Sequence, residues 1–229
     1  MQLFVTEFEV KGNQIIIEDS RIKEQLRKVL RAKIWYVFQI QKTANNNILR
    51  YTVSLLEFTN HTIVKIENIE KKNIEESNTG VIVSMLNKFD KMELIVQKLS
   101  EMGIRNIIFT PTTRSIIRIF KEKKMERIKK ISLEAVEQSK WRYLPNIIFD
   151  KNFSKILEGK YIYVLDMDGK KINKLDIEDN EYLFIGPEWG ITKEDMELIG
   201  DRLEKKLNIG NTVLRAETAA IIGSWLICN

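Results

Sequence analysis

The residues best suited to chemistry lie in two glycine-containing segments near the C-terminus. The first is FIGPEWGIT, residues 184–192, and the second is LNIGNTVLRAETAAI, residues 207–221. The chain of 229 residues has only ten glycines and three prolines, yet several of them crowd into this region. Such clustering indicates a backbone that turns sharply or closely approaches a ligand. For residues 186–190 taken alone, an ordinary left-handed turn is the alternative.

Histidine and cysteine are too scarce to supply the chemistry. The chain has one histidine, His61, and one cysteine, Cys228. An internal disulfide is excluded, and a histidine-based catalytic triad or a His/Cys metal centre is not expected. No metal is implied, so arginine, lysine, carboxylate and backbone groups must supply the chemistry. The N-terminus lacks the pattern of a signal peptide and no apolar run is long enough to span a bilayer, so we expect a cytoplasmic protein.

Positive charge is concentrated in two stretches. The net charge is +5. RIKEQLRKVLRAK, residues 21–33, has six basic residues against Glu24, and RSIIRIFKEKKMERIKK, residues 114–130, has eight against two acids. Clusters of this kind suit a phosphate backbone, because each neutralised phosphate releases counterions. A solvated helix face is the alternative for either cluster alone. Two clusters in one chain favour a nucleic-acid partner.

The chain divides into two halves with different patterns. Up to about residue 73, short runs rich in β-branched and aromatic residues predict strands, and one basic amphipathic helix around 21–32 interrupts them. This spacing predicts a small β-barrel with one helix. The polar stretch EKKNIEESNTG, residues 70–80, is a predicted linker. We therefore expect domains at 1–73 and 74–229.

Beyond the linker, strands alternate with helices. In residues 87–103 the apolar residues fall on one helical face, with Asn87 as the predicted cap and Gly103 as the predicted end. A long helix is predicted at 121–140. Thr192 and Asp195 have capping-box spacing before another helix. The alternation predicts an α/β domain with a mostly parallel sheet covered on both faces.

The first glycine segment follows a predicted strand and precedes a predicted helix. This is the edge at which open α/β sheets bind ligands. The common nucleotide motifs are absent, since neither a G-x-G-x-x-G after a strand nor a G-x-x-x-x-G-K-[ST] occurs.

The two segments together resemble the cofactor-binding motifs of SPOUT-class RNA methyltransferases. FIGPEWGIT followed by LNIGNTVLRAETAAI is most similar to the RsmE type, the bacterial 16S ribosomal RNA uracil-N3-methyltransferases. LRKVLR, KMELIVQKLSEMGI, TRSIIR and EAVEQSKWRYLP follow the order of that family, so the likeness spans nearly the whole chain. The combination of G-P-E with L-R-x-E-T-A is specific.

The resemblance implies a fold, a cofactor and partners. It implies a PUA-like N-terminal β-barrel, a C-terminal SPOUT α/β domain with a deep trefoil knot, and a homodimer. The nearly all-apolar helix of residues 216–226 suits burial at a dimer interface, with burial in one chain's core as the alternative. The substrate would be 16S rRNA of the small ribosomal subunit and the cofactor S-adenosylmethionine. The implied cofactor-binding residues are Leu165, Ile185, Gly186, Pro187, Glu188, Gly190, Ile209, Gly210 and Leu214.

Methylation of uridine N3 requires loss of its proton without help from histidine. A carboxylate base or an arginine that stabilises the uracil anion must serve, and Arg215 and Glu217 are the candidates. A structural salt bridge is the alternative role for this pair. The residues expected to face RNA are Arg27, Lys28 and Arg31 in the barrel, and Arg114, Arg118, Gln138 and Arg142 in the second domain.

Two tryptophans depart from the family pattern. Trp189 replaces a glycine of the G-P-E-G-G loop, and Trp141 stands where an arginine is expected, with Arg142 next to it. Each tryptophan is a base-stacking platform or a hydrophobic plug, and we favour the plug. One alternative function is an RNA-binding ribosome-assembly protein with a decayed methyltransferase site. Another is a SPOUT enzyme that modifies a different RNA position, such as a ribose 2′-oxygen.

Overall fold

The structure is a computed structural model that describes residues 1–44, 47–74 and 77–228. Contacts within the chain divide it into two compact units, Met1–Glu75 and Glu76–Asn229. The N-terminal unit is built on one hydrophobic core and the C-terminal unit on two. Among the described residues, no helix has the length and apolar character needed to cross a membrane.

The N-terminal unit is a six-stranded, barrel-like sheet around one core. Its strands run in the order β1-β4-β5-β6-β3-β2 and are antiparallel except for the parallel pair β1–β4. Alternate residues such as Phe38 and Ile40, or Val53 and Leu55, face the core, as the strand period of two requires. The strands are β1 (Leu3–Val5), β2 (Glu9–Lys11), β3 (Gln14–Ile17), β4 (Val37–Ala44), β5 (Asn47–Phe58) and β6 (Thr62–Asn73).

The basic helix of this unit is shorter than predicted. It begins as α1 (Ser20–Glu24), capped by the Asp19 carboxylate at 2.9 Å from the Arg21 N–H. It continues as a π-helical turn over Gln25–Val29, and the Leu30 N–H donates to the Gln25 carbonyl at 2.9 Å. Arg31 has a φ of 48°, so it follows the helix instead of extending it, and the predicted end at residue 32 is wrong.

The C-terminal unit is built on a wholly parallel sheet. Its strands run in the order β12-β10-β11-β7-β8-β9. The sequence-based prediction of an α/β domain is therefore confirmed. The strands are β7 (Gly80–Ser84), β8 (Asn106–Thr110), β9 (Asn146–Phe149), β10 (Tyr161–Lys171), β11 (Glu181–Ile185) and β12 (Leu203–Asn208).

Helices cover both faces of this sheet. Val81 and Val83 of β7 face a core shared with α2, α3 and α6, while Ile82 faces a second core shared with α4 and α5. Continuous apolar strands such as VIV and NIIF fit a sheet that is buried on both sides. The helices are α2 (Phe89–Met102), α3 (Glu122–Ser139), α4 (Phe153–Leu157), α5 (Lys193–Ile199) and α6 (Ala216–Cys228), with a 3-10 turn at Gly200–Arg202.

The predicted helix ends are confirmed in part. Gly103 ends α2 with a φ of 78°, as predicted. The predicted cap Asn87 is wrong, because Lys88 occupies the cap position and the Asn87 N–H donates to the Glu188 carboxylate instead. Thr192 and Asp195 form the predicted capping box of α5.

Short elements were missed in the sequence. The edge strand β9 and the five-residue helix α4 were not predicted, because neither is long enough to show a period. The predicted linker at 70–80 begins too early, since β6 pairs with β5 as far as Asn73. Residues 75 and 76 of that linker lie outside the described residues.

Candidate active site

The carboxyl ends of β10, β11 and β12 open onto one site. A cavity of about 650 Å³ lies between the loop of residues 186–191 and the start of α6. A smaller cavity of about 110 Å³ adjoins it and is bounded by residues 207–214. Leu165, Met167 and Leu214 line both cavities, so the two are parts of one site. This is the sheet edge at which α/β proteins bind ligands.

All nine residues predicted to hold the cofactor line this site. Ile209 and Gly210 line the smaller cavity, and Leu165 and Leu214 line both. The remaining residues line the larger cavity; they are Ile185, Gly186, Pro187, Glu188 and Gly190. The structure therefore brings the two glycine segments together, although a helix and a strand separate them in sequence.

Two glycines of the first segment are required by the fold itself. A Cβ on Gly186 would lie 2.5 Å from Cγ1 of Ile191, which is a steric clash. Gly190 has a φ of 77° and closes a turn in which its N–H donates to the Pro187 carbonyl at 2.9 Å. A side chain would strain the backbone at that φ. The geometry of the loop itself therefore explains both glycines.

Trp189 points away from the cavity. It is 67% exposed and is not among the residues that line either cavity of the site. The plug interpretation is therefore wrong for Trp189. Its bulk does not fill the space that a cofactor would need, so the presence of Trp189 does not indicate a decayed site.

Gly210 has a different role from Gly186. The Asn208 side chain accepts a hydrogen bond from the Gly210 N–H at 2.8 Å and donates to the Met167 carbonyl at 2.6 Å. A Cβ on Gly210 would meet no protein atom within 4 Å, so no close contact within the fold requires glycine at this position. Gly210 is also one of the residues that line the smaller cavity.

A charged triad connects the loop to two helices. Lys91 of α2 donates to Glu188 Oε1 at 2.9 Å, and its Nζ lies 3.4 Å from Glu217 Oε2 of α6. Burial disfavours the charged form of Lys91, but the hydrogen bond and charge of Glu188, aided by Glu217, raise its pKa above the ordinary value. Lys91 therefore stays charged and holds both carboxylates.

The two predicted catalytic residues lie in different surroundings. Arg215 is exposed and lines the larger cavity, and its side chain makes no hydrogen bond or ion pair within the described part of the chain. Glu217 is buried, pairs with Lys91 and does not line the cavity. The geometry leaves Arg215 available to a substrate and favours the salt-bridge role for Glu217, with Lys91 as its partner.

Acidic groups line the same site. The Asp166 carboxylate accepts from Lys206 Nζ at 2.9 Å and from the Asp168 N–H at 3.1 Å. Burial raises the pKa of Asp166, but these hydrogen bonds outweigh it and hold the pKa below its ordinary value of 3.8. Asp166 and Asp168 both line the larger cavity, so they add negative charge to its wall.

The loop after β8 carries two predicted RNA-facing arginines. The Arg114 guanidinium donates to the Trp189 carbonyl, which ties this loop to the loop of residues 186–191. Arg118 donates to the Thr113 carbonyl at 3.0 Å. Asp195 anchors the loop by accepting from the Thr113 N–H at 3.0 Å and its hydroxyl at 2.8 Å. Asp195 thus both caps α5 and positions Arg114 beside the site.

Gln138, Arg142 and Trp141 lie away from the cavity wall. Gln138 and Arg142 are exposed, and neither lines the site. Trp141 packs on the end of α2, where a Cβ on Gly103 would clash with its indole ring, and it contacts Tyr143 edge-on at 5.9 Å. These contacts support the plug interpretation for Trp141.

The predicted RNA-facing residues of the N-terminal unit are all exposed. The Arg27 guanidinium lies over the Phe58 ring, 5.4 Å from its centroid. Lys28 pairs with Glu24 at 2.7 Å. Arg31 occupies the turn beyond the π-helix. Arg27 and Lys28 are therefore partly engaged by the protein itself.

Sequence reasoning missed three features that organise the site: Lys91, Asp166 and the link from Asp195 to the β8 loop. The partners of Lys91 lie 97 and 126 positions further along the chain, so no local pattern could reveal them. Over residues 1–44, 47–74 and 77–228, no group of three or more His, Cys, Asp or Glu side chains is placed to hold a metal ion.

Known proteins similar to this chain include ribosomal RNA methyltransferases. Ribosomal RNA small subunit methyltransferase E 2 of Borreliella burgdorferi is 27% identical over 96% of this chain and 93% of its own length. Ribosomal RNA small subunit methyltransferase E of Bacillus subtilis is 28% identical over 61% of each chain.

Solved structures show the same fold. Ribosomal RNA small subunit methyltransferase E from Neisseria gonorrhoeae, bound to S-adenosyl methionine, has a TM-score of 0.77 at 21% identity over 98% of this chain and 95% of its own. A methyltransferase from Legionella pneumophila with bound S-adenosylmethionine has a TM-score of 0.75 at 23% identity, over 98% and 94% of the two chains. The family model for the RNA methyltransferase domain matches residues 74–227. The chain therefore belongs to the RNA methyltransferase domain family, as its RsmE-type motifs predicted.

Proposed function

We propose that this protein transfers a methyl group from S-adenosylmethionine to N3 of a uridine in the RNA of the small ribosomal subunit. The observation that carries the proposal is the cavity of about 650 Å³ between the two glycine segments. The names of the relatives support a small-subunit RNA substrate. The RsmE-type motifs support uracil N3 as the acceptor.

The residues of the site fit this cofactor. The volume lies within the range of small-molecule sites. Leu165, Ile209 and Leu214 offer apolar surface to an adenine ring, and Glu188 and Asp166 offer negative charge to the ammonium and sulfonium groups of the cofactor. The open space at Gly210 and the close turn at Gly190 let a ligand approach the backbone. When bound, S-adenosylmethionine supplies an electrophilic methyl group on a positively charged sulfur.

The protein's own residues must stabilise the uracil anion. N3 of uridine becomes nucleophilic only when its proton leaves, which here would pass to solvent water, and the base edge must be unpaired to reach the methyl group. Arg215 is the exposed cation in the cavity wall without a protein partner among the described residues. Its guanidinium would stabilise the negative charge that develops on the uracil ring. Glu217 would act indirectly, by fixing Lys91 and through it Glu188.

The arginines of the β8 loop would position the RNA. Arg114 is exposed and is fixed at the rim of the site by its bond to the Trp189 carbonyl. A phosphate contact from such a residue orients the strand without reading its sequence. A protein with this role meets ribosomal particles, so we also propose a cytoplasmic location.

Nucleoside analysis tests the function. Small subunits lacking the modification are incubated with the protein and methyl-labelled S-adenosylmethionine, and the digested RNA is separated by chromatography. We expect the label in N3-methyluridine. Label in a 2′-O-methylated nucleoside would instead assign another acceptor atom. Tight RNA binding without label or cofactor affinity would support the decayed assembly protein.

We propose a homodimer formed through α6. Ile222 is 39% exposed and Trp225 56% exposed, so this helix presents apolar side chains outward at a spacing of three residues. Apolar surface of this kind is typical of the centre of a protein interface. Light scattering at micromolar concentration should give twice the chain mass for the wild type and a lower mass for Ile222→Glu. A wild-type monomer would contradict the dimer.

We also propose the trefoil knot that the family resemblance implies. In the sheet, β10 lies between β11 and β12, yet the two glycine segments meet at one sheet edge. This arrangement is compatible with a threaded chain. Slow, multiphase refolding after complete denaturation would be expected, and single-phase refolding on the millisecond scale would contradict it.

A further inference from the structure

An exposed and strained tryptophan lies beside the basic helix of the N-terminal unit. Trp35 has a φ of 70° and is 62% exposed. It is the third residue of a turn in which the Tyr36 N–H donates to the Lys33 carbonyl at 3.0 Å. Glycine or asparagine normally occupies this turn position, because a residue with a bulky side chain is strained at a positive φ.

The fold does not explain the choice of tryptophan. The Trp35 backbone N–H donates to the Leu55 carbonyl at 2.7 Å, and a glycine would make the same bond without strain. Within the described ranges, the indole takes part in no hydrogen bond, aromatic pair or cation–π contact. Backbone strain that no contact within the fold explains is typical of a binding site.

The surroundings of Trp35 are cationic. The Leu55 carbonyl that fixes it lies on β5, three residues before Phe58, whose ring is covered by the Arg27 guanidinium. Three residues of strand span about 10 Å, so Arg27 and Trp35 belong to the same end of β5. Arg31 and Lys33 precede Trp35 closely in the chain and are exposed. Glu24 is the only acid between residues 20 and 37, and it is paired with Lys28. Glu57 lies exposed on the same stretch of β5, so the cations Arg27, Arg31 and Lys33 outnumber this acid.

An exposed aromatic ring among cations suits single-stranded nucleic acid. Such surfaces hold phosphates by charge and stack successive bases on aromatic rings. A protein partner is less well matched, because charged residues are depleted at the centre of protein interfaces, whereas Trp35 is surrounded by them. The occupant favoured by the charge is therefore RNA.

We propose that Trp35 is a stacking platform for an unpaired base of the substrate RNA. The inference rests on the proposed function for the identity of the RNA as a substrate. Arg27, Arg31 and Lys33 hold the phosphates next to this base. The turn of residues 33–36 holds the indole outward, where the RNA can reach it. The Trp35 backbone strain is retained because the ring is needed there.

The test compares stability with RNA affinity in the full chain. Wild type, Trp35→Gly, Trp35→Asn and Trp35→Phe are titrated into a fluorescent single-stranded oligoribonucleotide at several salt concentrations, and each is unfolded in urea. Ile69→Ala, which removes a 52% exposed apolar side chain from β6, is the matched control. Arg27→Gln serves as the phosphate-contact comparison.

We expect Trp35→Gly and Trp35→Asn to unfold at a higher urea concentration than wild type and to bind RNA roughly 5- to 100-fold more weakly, with an unchanged salt slope. Trp35→Phe should bind nearly as well as wild type. Arg27→Gln should instead reduce the slope. Wild-type affinity in Trp35→Gly, or no RNA binding by the wild type, would overturn the proposal.

The failure of this proposal and that of the proposed function are distinguishable. Methylation of small subunits by the wild type, combined with full RNA affinity in Trp35→Gly, would reject only the stacking role. The exposed surface around Trp35 would then be left to a protein partner. RNA binding that depends on Trp35 without methylation would keep the platform and reject the proposed reaction.

Discussion

A larger residue in place of Gly210 should leave the fold intact but block ligand binding. A Cβ at this position would meet open space, so Gly210→Val should change the free energy of unfolding by no more than about 1 kcal/mol. The same side chain would occupy the smaller cavity, and we expect S-adenosylmethionine binding to be lost in calorimetry. Asn211→Val, at an exposed neighbour outside the cavity wall, is the control. Retained affinity in a folded Gly210→Val protein would place the cofactor elsewhere.

Arg215 is the residue on which the proposed chemistry depends. Removing one group that stabilises a developing anion lowers kcat by roughly 10²- to 10³-fold in other enzymes. We expect Arg215→Ala to lose methyl transfer to that extent in single-turnover assays, and Arg215→Lys to recover part of it because the charge returns. Lys205→Ala, an exposed cation of β12, should have no effect. An unchanged rate in Arg215→Ala would exclude this role.

At the scale of elements, Lys91 joins α2, α6 and the loop of residues 186–191. Its side chain is 20% exposed and its partners Glu188 and Glu217 are 18% and 11% exposed, so the pairing is only weakly screened by water. Lys91→Met would leave two carboxylates close together, at a cost of about 2 kcal/mol. We expect lower S-adenosylmethionine affinity as well, because the loop loses its anchor.

A matched variant on the same helix isolates the effect of the triad. Lys98 pairs with Glu101 at 2.9 Å in a more exposed position. Lys98→Met should therefore cost at most about 1 kcal/mol and leave cofactor affinity unchanged. Equal stability and equal affinity of Lys91→Met and Lys98→Met would show that the triad has no special role.

The pair of Asp166 on β10 and Lys206 on β12 makes stability depend on pH. The pKa of Asp166 is lower in the folded protein than its ordinary value of 3.8, so its contribution is present above pH 3.8 and is lost as the pH falls through the lower folded value. Lys206→Met should be less stable than wild type at pH 7, by about 1 kcal/mol at most. In urea unfolding this difference should shrink in strong acid. A difference that persists there would have another origin.

At the scale of the whole molecule, the two units should contribute separately to RNA and cofactor binding. Replacing Arg27, Lys28 and Arg31 together by glutamine should weaken small-subunit binding and reduce the log–log salt slope by roughly 0.7 to 0.9 for each lost phosphate contact. Lys28 already pairs with Glu24, so it should contribute least. S-adenosylmethionine affinity should stay unchanged, because the cofactor cavity is lined by the C-terminal unit alone.

The control for this prediction is Lys71→Gln combined with Lys72→Gln, at exposed lysines of β6 outside the cluster. The cluster variant should lower affinity more than this pair. If the cluster variant binds as wild type does at every salt concentration, the basic residues are only a solvated surface.

Local patterns sufficed for much of this protein. The alternation of strands and helices, the end of α2 at Gly103 and the capping box of Thr192 and Asp195 all depend on residues close together in sequence. The two glycine segments could be recognised in the same way, because each is a continuous motif. Short elements such as α4 were not predicted, because five residues are too few to show a helical period.

Only the tertiary structure decided where the side chains of these motifs point. It turned Trp189 outward, paired Glu217 with Lys91 and left Arg215 at the cavity wall. It also set the strained turn at Trp35, whose N–H is held by β5. These outcomes depend on partners far away in the chain, and composition or periodicity contains no record of which distant residues will meet. The sequence by itself therefore determined the family, the longer elements and the two glycine segments, while packing between distant elements decided which charged and aromatic groups remain exposed.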